Sequence, residues 1–229
     1  MPISQSIMCR EFRRTHHIGS RQARNLREAI HYADKRLVEL GRPLNTFATI
    51  NFGHTACSSE IVSAAFEKLR DNHFVRWLRY ETSDLSYYVW VIENAGGNTH
   101  VHWVLHLPKS LRAAFEIKIA EWLARVAGTI TCKESAINIK PVTDLRGLGL
   151  YLLKGMDPRY APRFGVKHVP QGLVYGKRCG VSKSLGPASR ASSEPRCPKP
   201  FTSSPNAAFH PNVGKRFGVA VRRLSSASS

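Results

Sequence analysis

The sequence predicts an α+β fold, an antiparallel β-sheet with helices on one face followed by a basic tail, and three observations lead there. Short β-branched and aromatic runs of strand length alternate with longer amphipathic stretches of helical period. Two of those runs, residues 87–93 and 99–107, are separated only by the Gly- and Asn-rich residues 94–98, the signature of a hairpin. From Tyr175 onward the composition turns to Ser, Pro, Gly, Ala, Lys and Arg, with few large apolar side chains, which cannot offset its own ordering entropy.

The elements follow in order. Leu26, Ile30, Ala33 and Leu37 recur at helical spacing, so residues 21–40 form an N-terminal helix that Gly41 and Pro43 end. Residues 46–52 have the length and content of a first strand. Ser58 and Ser59 offer N-caps to a helix from about residue 59 to 71, resuming through Trp77, with Ile61, Val62, Ala65, Phe66 and Leu69 on one stripe. After the hairpin, Pro108 opens a helix whose face is Leu111, Phe115, Ile119, Trp122 and Leu123, and Gly128 ends it. A strand at 135–142 and a short, glycine-interrupted helix at 145–154 complete the order strand, helix, hairpin, helix, strand, helix. That order belongs to the ferredoxin-like class. The chain divides into a basic N-terminal segment and helix (1–43), a central domain (44–174) and a tail expected to be disordered (175–229).

Charge narrows the function. Thirty-four Lys and Arg against 16 Asp and Glu give a formal net charge of +18, which predicts a polyanionic partner. The basic residues are spread along the chain and no stretch approaches a hydrophobic span, so nucleic acid is expected and a membrane is not. Five cysteines without a CxxC pair suggest neither a disulfide framework nor a zinc knuckle, and a polar, basic N-terminus is not what a signal peptide needs, so a cytoplasmic location is expected.

His100-Val101-His102 lies inside a strand, where residues two apart project from one face. Both imidazoles then point together, away from Val101, Trp103, Leu105 and Leu107, onto the face the helices leave open. A pair of neutral imidazoles at that spacing can share one divalent cation if a neighbouring strand supplies a third ligand. Glu93, which closes the preceding strand, is the first candidate; His106, on the same face, and Asp84 are the others. The remaining histidines, His16, His17, His31, His54, His73, His168 and His210, have no comparable setting, His54 being the exception in that it follows the first strand. Tyr151-Leu152-Leu153-Lys154 sets a phenol and an ammonium one helical turn apart. A phenol attacks a phosphodiester when the phosphate is polarised and the proton can leave; the plainer reading is a half-buried helix tyrosine beside a surface lysine.

Taken in order, Phe47-Ala48-Thr49, His100-Val101-His102 and Tyr151-Leu152-Leu153-Lys154 resemble the three motifs of the HUH endonucleases, in the single-tyrosine Rep-type class that initiates rolling-circle replication; the resemblance extends to relaxases and single-strand transposases as the alternative. The resemblance covers about residues 44–156. It implies a Mg2+ or Mn2+ ion on His100, His102 and an acidic third ligand, for which Glu93 has the usual position. It also implies Tyr151 as the nucleophile, with Lys154 stabilising the phenolate or the phosphate, and single-stranded DNA from an origin or hairpin as substrate. No Gly-x-x-x-x-Gly-Lys-[Ser/Thr] occurs, so a separate helicase would open the duplex and a polymerase would extend the product. Arg76, Arg79, Lys140, Arg146, Arg159 and Arg163 are candidate phosphate contacts, and Tyr87, Tyr88 and Trp90 candidate stacking residues, Trp90 also suiting the core. The competing expectation is a single-strand-binding module that cuts nothing, which explains the charge but not the histidine, glutamate and tyrosine motifs.

Overall fold

The computed structural model describes residues 13–193; residues 1–12 and 194–229, and with them most of the expected tail, lie outside the described residues. A short strand β1 (Arg14–Thr15) leads into helix α1 (Ser20–Tyr32), which continues through a wider helical turn at Ala33–Leu37. Strand β2 (Thr46–Asn51) follows, then α2 (Val62–Glu67) and α3 (Val75–Thr82), joined by helical residues Lys68–Phe74. The hairpin strands are β3 (Tyr88–Ala95) and β4 (Asn98–Leu105). After them come α4 (Arg112–Ala127), α5 (Lys133–Ala136), β5 (Ile137–Pro141), α6 (Leu145–Leu152), β6 (Val174–Tyr175), β7 (Cys179–Val181) and α7 (Pro187–Ser193). Five strands make one antiparallel sheet in the order β5-β2-β4-β3-β7, and β1 pairs with β6 beside it.

The hairpin register fixes the rest. Tyr88 stands opposite Leu105, and pairing runs on to Ala95 opposite Asn98. Only Gly96 and Gly97 remain for the turn, with φ of 62° and 81°. Two successive positive φ angles suit the right-handed twist of the strands, and glycine adopts both without a Cβ clash.

One sheet face is an aromatic core. Trp103, fully buried, packs edge-on against Phe74 with ring centroids 4.7 Å apart and against Phe66 at 5.4 Å. Tyr88, Trp77, Phe115 and Trp122, from β3, α3 and α4, close around them. The alternation in β4 that puts Val101, Trp103 and Leu105 here turns His100, His102 and Val104 the other way.

The helices do not all lie on one face, which corrects the expectation from sequence. Val89, Val91 and Val104 are covered on the second face by Ala23, Leu26, Ala29 and Ile30 of α1 and by Leu152 and Leu153 at the end of α6. A boundary at residue 43 separated α1 from the strands it covers, leaving its apolar stripe without a target. Ala23 and Ala29 on that stripe allow a close approach to valines. The boundary at 175 is displaced as well: β7 pairs with β3, Val91 opposite Cys179, and α7 packs back near α1, Arg190 reaching Glu28 at 2.9 Å. Composition misled here because a three-residue edge strand needs few apolar side chains when its partner strand supplies the backbone bonds.

Candidate metal centre and tyrosine cleft

The second face of the sheet is polar where α1 and α6 stop. Across the hairpin Glu93 stands opposite His100, and across the β2–β4 ladder Thr49 stands opposite His102. Glu93, His100 and His102 bring one ligand atom each within 4.8 Å of one another. Glu93 Oε2 lies 3.3 Å from both His100 Nε2 and His102 Nε2. His106 and Asp84 are elsewhere: His106 Nδ1 donates to the Pro43 carbonyl at 2.8 Å, and Asp84 pairs with Arg42 at 2.6 Å.

Helix α6 delivers the other two residues, and its glycines have local reasons. Asp144 caps it, accepting from Gly147 N at 2.9 Å, and a Cβ at 147 would run into that carboxylate. A Cβ at 149 would sit 3.1 Å from Ile30 Cγ2, so Gly149 lets α6 lie directly on α1. So held, α6 places the half-exposed Tyr151 with its hydroxyl 3.2 Å from His102 Nε2. Lys154, in the turn just past the helix, donates to Glu93 Oε2 at 2.9 Å and lies 3.5 Å above the Tyr151 ring.

The electrostatics favour a cation. Glu93 is 1% exposed. Burial opposes its charge, but the bonds from His100, His102 and Lys154 outweigh that and hold its carboxyl well below the usual range. Burial lowers the His102 pKa more than Glu93 raises it, so this imidazole is neutral at pH 7. For His100 the tautomer is set by the backbone. Its Nδ1 donates to the Asn98 carbonyl at 3.0 Å, which leaves Nε2 as the nitrogen turned to Glu93 and the one that can ligate an ion. The second carboxylate oxygen, Glu93 Oε1, is buried with no hydrogen-bond partner. Donors at right angles around an octahedral ion with bonds of about 2.1 Å lie about 3.0 Å apart; Glu93 is 3.3 Å from each imidazole, while the three ligand atoms together span up to 4.8 Å, so the imidazoles would draw in around an ion. This group can therefore hold a divalent metal ion, with Thr49 Oγ1, 3.2 Å from His102 Nδ1, orienting that ring from behind.

Beside the cluster, on the β5–β2 side, the sheet face is open as a cleft of about 480 Å³ lined by Phe47, Thr49, Asn138, Lys140, His100, His102 and Tyr151 among others. Lys140 is the candidate phosphate contact that reaches it. Arg146 and Arg159 are paired with Asp34 and Asp157, and Arg76 and Arg79 are exposed on α3, which packs on the opposite face. Tyr87, Tyr88 and Trp90 are buried, so none is free to stack on a base.

Two contributors escaped the sequence reading. The Asn98 carbonyl is a backbone group and carries no side-chain signal. Arg178 fell in the segment read as tail, yet it is 1% exposed. Its Nη2 donates to the Thr15 and Gly172 carbonyls while Nε and Nη1 have no partner. Burial lowers its pKa and the charge of Glu93 opposes that, so a second cation stands behind the carboxylate. Compared with family models, with characterised proteins and with solved structures, the chain has no match.

Proposed function

We propose that this protein is a metal-dependent endonuclease of the HUH type, which nicks and rejoins single-stranded DNA through Tyr151 and so initiates rolling-circle replication. The observation that carries this reading is the position of the Tyr151 hydroxyl, in an open cleft and 3.2 Å from an imidazole of the Glu93–His100–His102 group. The strand order β5-β2-β4-β3, with β7 added at the β3 edge, supports a ferredoxin-like classification of the domain. The net charge of +18 suits a nucleic-acid substrate.

His100, His102 and Glu93 would hold the ion, and their two imidazoles suit Mn2+ better than Mg2+. When bound, such an ion polarises a phosphate oxygen and so makes the phosphorus more electrophilic. Tyr151 Oη then bonds to phosphorus as the bond to the 3′ oxygen breaks; the phenol proton leaves to water in the cleft and the 3′ oxygen takes one up. Lys154 compensates the negative charge that builds on the phenol oxygen. Because the 5′-phosphotyrosyl ester preserves a phosphodiester, attack by another 3′-hydroxyl reseals the strand. A separate helicase and polymerase would supply the duplex opening and synthesis.

The test is incubation of the purified protein with labelled single strands from its own genetic element and Mn2+, followed by a denaturing gel. A covalent protein–DNA band is expected, absent in Tyr151→Phe and in the His100→Ala/His102→Ala double variant. Tight binding to every such strand with no metal-dependent adduct or cleavage would replace the nuclease with a single-strand-binding module.

A further inference from the structure

Helix α6 separates two clefts. Tyr151 lines the one described above; on the other flank, between α6 and α1, lies a groove of about 790 Å³. Its floor is apolar, built from Ile30, Leu150 and Leu153 over the helix contact that Gly149 permits. Its rim is basic: Arg24, Arg27, His31 and Lys35 follow one another at helical spacing along α1 and its continuation, and Arg146 faces them from α6. The acids on this side are already engaged, Glu28 by Arg190 at 2.9 Å and Asp34 by Arg146 at 2.7 Å. Arg24 and Lys35 have no ion-pair partner among the described residues. The two clefts lie on either side of neighbouring residues of α6, Leu150, 46% exposed, in one and Tyr151, 43% exposed, in the other.

We propose that this groove is a second DNA subsite, holding the flank of the strand that Tyr151 attacks, with phosphates on the basic rim and unpaired bases on the apolar floor. This rests on the nuclease reading for the cleft beside it. Charge complementarity selects a polyanion, and the floor selects one with exposed apolar faces. Duplex DNA buries its base faces in the stack, so it matches the rim but not the floor. An anionic lipid shares both features, and the position of the groove one residue along α6 from Tyr151 decides for the nucleic acid.

The experiment uses the full chain carrying Tyr151→Phe, in EDTA, so that binding is read without chemistry. Affinity for a fluorescent dT20 strand is measured by anisotropy across a salt series, with and without Arg24→Gln and Lys35→Gln together. Both positions are exposed on a helix, and an unchanged melting temperature verifies the fold. The expected result is affinity about tenfold weaker at low salt and a log–log salt slope shallower by about 1.4, since each phosphate contact on a single strand contributes about 0.7. Duplex of the same length should lose less. Unchanged affinity and slope overturn the proposal, as does a loss confined to vesicles of anionic lipid. The two readings fail separately. Adduct formation by the otherwise native protein with no effect of the groove substitutions removes the subsite alone; a groove effect with no adduct on any strand leaves the subsite and removes the nuclease.

Discussion

The two faces of the sheet are built from the same strands and solve different problems. On the aromatic face Val101, Trp103 and Leu105 of β4 are apolar and fully buried, and Trp103 is surrounded by the rings of Phe66, Phe74, Tyr88 and Phe115. On the other face the aliphatic packing of α1 and α6 stops at the hairpin end, and a buried carboxylate, two imidazoles and a lysine occupy the next row. One face is stabilised by area removed from water; the other holds charges that cost free energy to desolvate and are kept because they satisfy one another. The aromatic core and the buried polar row thus lie on opposite sides of the same strand.

That division can be broken experimentally, beginning with the largest effect. The His100→Ala/His102→Ala double variant should abolish Mn2+ binding in isothermal titration calorimetry, and it should also lower the urea midpoint of the metal-free protein because the buried Glu93 keeps only Lys154 as a partner. Retained Mn2+ affinity would show that the polar row is not a metal centre. Trp103→Ala, on the reverse of the same strand, should lower unfolding stability by about 3–5 kcal/mol in denaturant titrations. A loss under about 1 kcal/mol would mean that the aromatic face is not the main core. Thr49→Val keeps the shape at position 49 but removes the hydroxyl behind His102, and Mn2+ affinity should fall by about 10-fold or more. Equal affinity in Thr49→Val and the parent would leave the ring oriented by other contacts.

The smallest effect distinguishes the faces by pH. Burial pushes the Tyr88 phenol up to about 12 from its usual 10.0, with Arg70 opposing. The fold therefore favours the neutral phenol, and the stability Tyr88 contributes is whole below pH 10 and lost as pH rises towards 12. Tyr88→Phe has no such loss, so urea midpoints of the two proteins should hold a constant offset up to pH 10 and move relative to each other above it. A constant offset at pH 11 would place Tyr88 in a wetter setting than the aromatic face provides.

The sequence by itself determined the local elements and the sidedness of β4. A period of two sorts His100 and His102 from Val101 and Trp103 without reference to the rest of the chain, and a Gly-Gly turn brings Glu93 back across the hairpin at short range. Tertiary structure decided what covers each face and what completes the polar row. Residues 20–37 approach the sheet from the N-terminal side and 174–193 join it from the far end, contacts whose sequence separation leaves no local pattern to read. The tautomer of His100 rests on a backbone carbonyl, and Arg178 enters behind Glu93 from a segment whose composition resembles a tail. Periodicity records which way a side chain points, because that follows from neighbouring backbone angles. It does not record what the side chain meets, because the meeting partner is chosen by packing of the whole chain.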